Sequence, residues 1–484
     1  MLFNSINYIL LFLPITCVVY YLLLKQKLIV ASKIWLVFAS IVFYGWYDPQ
    51  YTSLLLLSML GNFIIGTSFN APVFQSIKNR KILLIFGLVA NILLLGYFKY
   101  ANFFIDNVNI IFHSHIEIAK IVLPLGISFF TFTQIAYLVD AYKNEAKEYD
   151  FLSYMLFVTF FPHLIAGPIL HHKEMMPQFN EVKRKVLKYK NFLVSGIGLF
   201  LIGLFKKVCI ADTLSLYVAN GYAGETNLSM LEAWIVMLSY TFQIYFDFSA
   251  YTDMAIGSAK ILNIDLPQNF NSPYKAISVQ DFWKRWHMTL SRFLRDYIYI
   301  PLGGNRNGEI RTYTNLVLTM LIGGLWHGAS WLFVIWGGLH GFAQCINKLW
   351  QKTKIEMPRS LAILITFLFV NLTWVIFRAE TWEQANKIYS GLFNFSNFVI
   401  PKTVHLNFIF KTATTTTYEN VLFILPLAFI LVFFCNNSQQ IVSKIKIDTK
   451  IKAIVYAVCC SILLLLCLVK ITTNHYSEFI YFNF

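Results

Sequence analysis

Apolar runs recur along the whole chain, near 8–24, 34–47, 51–69, 82–98, 121–139, 192–205, 231–246, 312–326, 331–347, 360–377, 421–435 and 453–469. A straight spanning helix needs about 20 such residues. Several runs are shorter than that, so the pattern predicts spanning helices mixed with segments that re-enter or are buried in protein. No Ser/Gly-rich linker, long charge run or fixed-period repeat divides them, and 1–484 reads as a single integral membrane domain. Its three parts differ in character. Residues 1–120 alternate apolar runs with short loops, 121–347 interrupt the runs with Pro, Gly, His, Asp and Arg, and 348–484 return to plain runs around one polar stretch, 379–420. Irregular backbone at membrane depth is tolerated only where it is buried or lines a wet cavity. The middle part is therefore where a site is expected.

Composition supports the membrane reading: of 484 residues 57% are hydrophobic and only 13% charged, against about 25% charged in a soluble domain. The net charge of +15 does not call for nucleic acid, because the basic residues cluster between apolar runs as the positive-inside rule requires. Those clusters lie at Lys25/Lys27/Lys33, Lys78/Arg80/Lys81, Lys183 to Lys190, Lys284 to Arg311, Lys348 to Arg359 and Lys444 to Lys452, and are expected to be cytoplasmic. Both termini are then expected outside the cytoplasm. The first run has neither a basic leader nor a small-residue cleavage site, so it reads as a retained helix. The seven cysteines lie in or beside apolar runs without the spacing of a zinc site or a disulfide framework, and no metal site is expected.

The sharpest cluster is Gly323-Gly324-Leu325-Trp326-His327-Gly328-Ala329-Ser330-Trp331, between two apolar arms. A helix of 14 or 15 residues starting near 312 rises about 21–23 Å, short of the ~30 Å hydrocarbon thickness. His327 is thus expected inside the protein at membrane depth, where an ionisable residue is costly and usually functional. The flanking glycines are expected to let a substrate chain approach the backbone. In Gln280 to Tyr297, helical spacing would put Lys284, His287, Ser291 and Arg295 on one face. Its charge fits an interfacial helix, anchoring to lipid headgroups or holding an anionic substrate. Arg306, in Pro301 to Gly308, adds a basic turn. Asp247 and Asp253 end an apolar run, placed either to orient an imidazole or to pair with Arg285 or Arg295. His163 and His340 read as satisfied core histidines.

These residues resemble the membrane-bound O-acyltransferase superfamily, in its bacterial envelope-acetylating branch. The resemblance runs over nearly the whole chain, through Leu325 to Ala329, Phe282 to Gly304, Pro273-Tyr274, Trp374 to Ala379 and the closing Phe479 to Phe484. It implies an all-α polytopic protein, with a ring of helices and re-entrant and interfacial segments around a thinned centre. It places the family histidine on His327 and the second on His287, with Trp326 supporting. It also implies no bound cofactor, acetyl-CoA or another acyl thioester as cytoplasmic donor, and an extracytoplasmic SGNH-type transferase as partner. Lys284, Arg285, Arg295 and Arg306 are then expected at the donor, and Asp247 and Asp253 as supports. Tyr481 is expected either to pack or to receive the acyl group briefly. The implied function is O-acetylation of an envelope glycan, peptidoglycan or an alginate-like polysaccharide, from the bacterial inner membrane. A polysaccharide or lipid-linked sugar transporter is the alternative, but such proteins commonly carry inverted repeats, and none is visible in this sequence.

Overall fold

In the computed structural model the described residues are 1–74, 76–117, 121–146, 150–165, 167–180, 189–223, 227–397, 418–473, 479 and 480. Every regular element among them is helical. Each apolar run of the sequence falls on a helix. Five of these helices, Tyr8–Lys25, Ile77–Phe112, Phe192–Ala223, Arg359–Arg378 and Lys450–Thr473, are long and apolar enough to cross a membrane. Large apolar side chains such as Ile82, Ile85, Phe86, Val89 and Leu93 stay exposed along Ile77–Leu95. Exposure on that scale is the mark of a lipid-facing surface, and the chain is a multi-pass membrane protein.

The described residues gather into two compact units, Met1–Phe200 with Thr252–Gln268, and Leu201–Tyr251 with Asn269–Phe484. In the first unit, Ile77–Leu95 packs on Ile127–Tyr142. A buried amide cluster ties neighbouring helices together there: Asn62 donates to Gln134 at 2.6 Å, and Asn91 donates to Asn62 at 2.6 Å. Every donor and acceptor in that chain belongs to an uncharged side chain, so the cluster serves to hold helices in a medium without water.

The second unit contains the Gly-Trp-His cluster, and here the helix begins earlier than the apolar run. Glu309–His327 has 19 residues, a rise of about 28 Å, and His327 closes it. Ser330 then caps the next helix, Trp331–Thr353, by accepting from Leu332 N. The two helices form a tight antiparallel hairpin because glycines let their backbones meet. A Cβ on Gly324 would lie 2.3 Å from the Phe333 carbonyl oxygen, and one on Gly337 would lie 2.3 Å from that of Met320. Gly324 is thus consumed by helix packing, and a Cβ on Gly328 would strike the Phe333 ring, so these two do not open the backbone to a substrate chain as their place in the sequence suggests. Ala is a better helix former than Gly by ~1 kcal/mol, yet Gly324→Ala is expected to lower the melting temperature in detergent. Overpacking against a backbone atom costs about 1–3 kcal/mol, and an unchanged or raised melting temperature would contradict this account of the hairpin.

Candidate active site

His327 is 2% exposed and stands among aromatic rings. Trp326, Trp336 and Phe377 lie with their ring centroids 5.0, 5.2 and 5.1 Å from the imidazole, all edge-to-face. Such packing fixes the imidazole plane through its faces and edges. Trp336 and Phe377 come from other helices, and sequence spacing gave no sign of them.

Around His287 the expected continuous helix breaks in two, Val279–Trp283 and Met288–Leu294. His287 occupies the break with φ at +42°, in the left-handed region that a histidine seldom adopts. Asn269 causes the break. Its side-chain oxygen accepts from the Thr289 amide and hydroxyl, at 3.2 and 2.9 Å, and its backbone oxygen accepts from Met288 N at 3.0 Å. These bonds satisfy the amides that open the second helix, a capping role supplied from a remote segment. The same side-chain oxygen lies 3.2 Å from His287 Nδ1. An oxygen already receiving N–H and O–H groups must accept there too, so Nδ1 carries the proton and Nε2 is the basic nitrogen. Burial drives this imidazole far below its ordinary pKa, which keeps it neutral. The Trp326 ring packs against both histidines, 6.0 Å from His287 and 5.0 Å from His327.

The broken helix also redistributes the other residues expected on its face. Lys284, Ser291 and Arg295 do line one cavity of about 510 Å³, together with Arg292, Lys348 and Trp283. His287 does not line it. Trp283 connects this cavity to the histidines, since its ring lies 5.7 Å from Trp336, which in turn contacts His327. Arg285 borders a second cavity, with Lys275 and Arg359, and pairs with Asp281 at 2.9 Å. Arg306 is exposed on its turn and lines neither cavity. The two acids differ as well. Asp247 pairs with Lys207 at 2.7 Å, not with Arg285 or Arg295, while Asp253 is a buried residue of the first unit. Tyr481 lies outside the described residues.

His340 is locked by its neighbours. The Trp283 indole N–H donates to Nδ1 at 3.2 Å, which puts the proton on Nε2, where it is donated to Thr373 Oγ1 at 3.1 Å. Both nitrogens serve the packing of three helices. His163 likewise spends Nε2 on the Phe157 carbonyl at 2.8 Å. Distant pieces of sequence also converge, for Tyr274 donates to Thr241 O at 2.7 Å and accepts from the Trp374 indole at 3.2 Å. Among the described residues no group of three or more His, Cys, Asp or Glu is arranged to hold a metal ion.

A family model described as MBOAT, membrane-bound O-acyltransferase family, matches residues 113–381. This range contains both histidines, the basic cavity and the glycine-packed hairpin. The chain belongs to the membrane-bound O-acyltransferase family. Membership decides for acyl transfer over sugar transport. Similar proteins include a peptidoglycan O-acetyltransferase of Helicobacter pylori, 42% identical over 100% of this chain and 98% of its own length. A probable alginate O-acetylase of Pseudomonas aeruginosa is 40% identical over 84% of this chain and 78% of its own. A teichoic acid D-alanyltransferase of Bacillus subtilis is 30% identical over 54% of the chain and 70% of its own length. The acyltransferase thus presents two buried, oriented imidazoles about one indole and, linked to them through Trp283 and Trp336, a cavity rimmed with cations.

Proposed function

We propose that this acyltransferase takes an acetyl group from acetyl-CoA at the cytoplasmic face and delivers it across the inner membrane for O-acetylation of an envelope glycan, of the peptidoglycan or alginate kind. The observation that carries the reading is the juxtaposition of His327, ringed by Trp326, Trp336 and Phe377, with the basic cavity reached through Trp283. The full-length similarity to a peptidoglycan O-acetyltransferase favours an acetyl group and a glycan. Lys284, Arg292, Arg295 and Lys348 attract the donor's phosphates, and its thioester reaches inwards along Trp283 and Met320. Arg285 and Arg306 stand apart from that cavity and take no part in this version of the donor site.

A thioester needs no activation beyond correct placement, so His327 acts as base. It removes the proton of the acceptor hydroxyl as the oxygen attacks the thioester carbonyl. The carbon–sulfur bond then breaks, the thiolate leaves, and the imidazolium returns the proton to sulfur. The products are free thiol and an oxygen ester. His287, with Nε2 unprotonated, accepts and passes on a proton beside the Trp326 ring. The first acceptor is either the glycan hydroxyl or the Tyr481 phenol acting as a carrier. An SGNH-type extracytoplasmic transferase completes delivery. Both chain ends lie outside the cytoplasm in this scheme.

Proteoliposomes holding the purified acyltransferase and labelled acetyl-CoA are the test. Label must reach peptidoglycan or polysaccharide added with the partner, and retention of all label on CoA would reject the proposal. Arg292→Glu is expected to raise KM for acetyl-CoA about tenfold, equivalent to ~1.4 kcal/mol, with the maximal rate nearly kept. An unchanged KM would move the donor out of this cavity.

A further inference from the structure

Lys206 and Lys207 interrupt an apolar stretch that is otherwise suited to crossing a membrane. The backbone there winds into a π turn, Lys206–Ala211, a local widening often found at functional positions. Lys207 is 2% exposed and lies 2.7 Å from Asp212 and 2.7 Å from Asp247, which are themselves 3% and 1% exposed. Charges so deeply buried add little net stability over apolar residues of like volume. Inside a membrane protein they point to a function, and the transfer chemistry above does not use them.

Asp247 has a second duty. One oxygen faces Lys207, and the other accepts the backbone N–H of Ile480 at 2.9 Å, across 233 residues of sequence. The neighbouring Phe479 is 2% exposed and stacks on Tyr251 with centroids 4.0 Å apart. Asp247 and Tyr251 are one helical turn apart on Met230–Ile261, so one face of that helix grips both residues. The preceding helix, Lys450–Thr473, has only 6% of its most apolar window buried and does little to fix the C-terminal end beyond it. From Phe479 the path to the histidines is short. Phe248 lies 6.4 Å from the Phe479 ring and 4.8 Å from that of His287.

We propose that the Lys207–Asp212–Asp247 network is a lock for the C-terminal end of the chain, holding Phe479 and Ile480 one aromatic ring from His287 so that the end is in register for the transfer step. This proposal rests on the acyl-transfer reading above. Lys207 and Asp212 orient the Asp247 carboxylate, and that carboxylate recognises a main-chain amide, with Tyr251 and Phe248 supplying the apolar seat. A charged acceptor in a medium of low dielectric makes a strong hydrogen bond. All three are positioning residues, since none reaches the reacting atoms. The lock therefore governs turnover and leaves donor affinity alone.

The decisive variant is Ile480→Pro, which deletes the donated N–H without changing charge or touching the buried network. Asp247→Asn serves as the partner variant from the other side of the bond. Hydrogen–deuterium exchange of the C-terminal peptide and kinetics with acetyl-CoA are read on the full-length protein in nanodiscs. Expected for Ile480→Pro are faster exchange at Phe479, turnover down at least tenfold, as for losing a hydrogen bond to a charged group, KM for acetyl-CoA unchanged, and the wild-type melting temperature. Wild-type turnover with a released end overturns the positioning role. An end that stays protected in both variants overturns the lock, as does a parallel loss of KM, turnover and yield in Ile480→Pro. Tyr481→Phe separates the lock from the carrier reading: normal acetylation there, with turnover lost in Ile480→Pro, discards the acyl-tyrosine and keeps the lock. Wild-type protein that fails to turn over acetyl-CoA rejects the parent reading instead.

Discussion

His327→Gln is expected to lower acetyl transfer by about 10²–10⁴-fold, the usual worth of a positioned general base, while the protein still inserts and purifies as wild type. Gln fills much of the imidazole's volume but has no basic nitrogen at neutral pH. The choice of replacement matters because of the surroundings. Rings of Trp326, Trp336 and Phe377 enclose the side chain, so Ala would leave a hole among them, and a lost activity would mix chemistry with repacking. Transfer to glycan in membrane vesicles, normalised to folded protein by size-exclusion chromatography, measures the effect. A variant that keeps half the wild-type rate removes His327 from the mechanism.

Lys207→Met should be the most destabilising single change in the second unit, by about 3–5 kcal/mol, because it leaves Asp212 and Asp247 buried without their shared ammonium. Its neighbour gives a sharp contrast. Lys206 hydrogen-bonds Ser438 at 3.3 Å and lies over the Tyr245 ring at 5.8 Å, whereas Lys207 is held by two buried carboxylates at 2.7 Å, so Lys206→Met should cost less. Thermal unfolding in detergent compares the two variants directly. Adding Asp247→Asn to Lys207→Met should recover part of the loss by removing one of the stranded charges. Equal melting temperatures for Lys206→Met and Lys207→Met would show that the buried network carries no such energy.

The sequence alone determined the helices and their order, because burial in lipid demands long apolar runs with internally paired backbone, and both are local properties. It also singled out His327 as a candidate through its setting at the end of an apolar run, and the structure buries it. Lys207 falls just past the apolar run 192–205, and only the structure places it within one long helix and beside Asp212 and Asp247. Tertiary structure decided what depends on groups far apart in the chain. Periodicity predicted an unbroken helix through His287, but the Asn269 side chain caps the second half from outside it, and no local pattern encodes a cap of that kind. Glycines beside His327 have the same composition whether they admit a substrate or a neighbouring helix. Only the approach of the Phe333 backbone oxygen to Gly324 and of the Phe333 ring to Gly328 assigns those two to packing. Cations behave likewise: Lys284, Arg285, Arg292, Arg295 and Arg306 are equivalent as charges along the chain, and folding sends Lys284, Arg292 and Arg295 to one cavity with Lys348, Arg285 to another, and leaves Arg306 exposed. Asp247 finds Lys207 and the Ile480 amide for the same reason. Hydrophobic pattern fixes which segments are helical, whereas the pairing of buried polar groups is settled only when those helices meet.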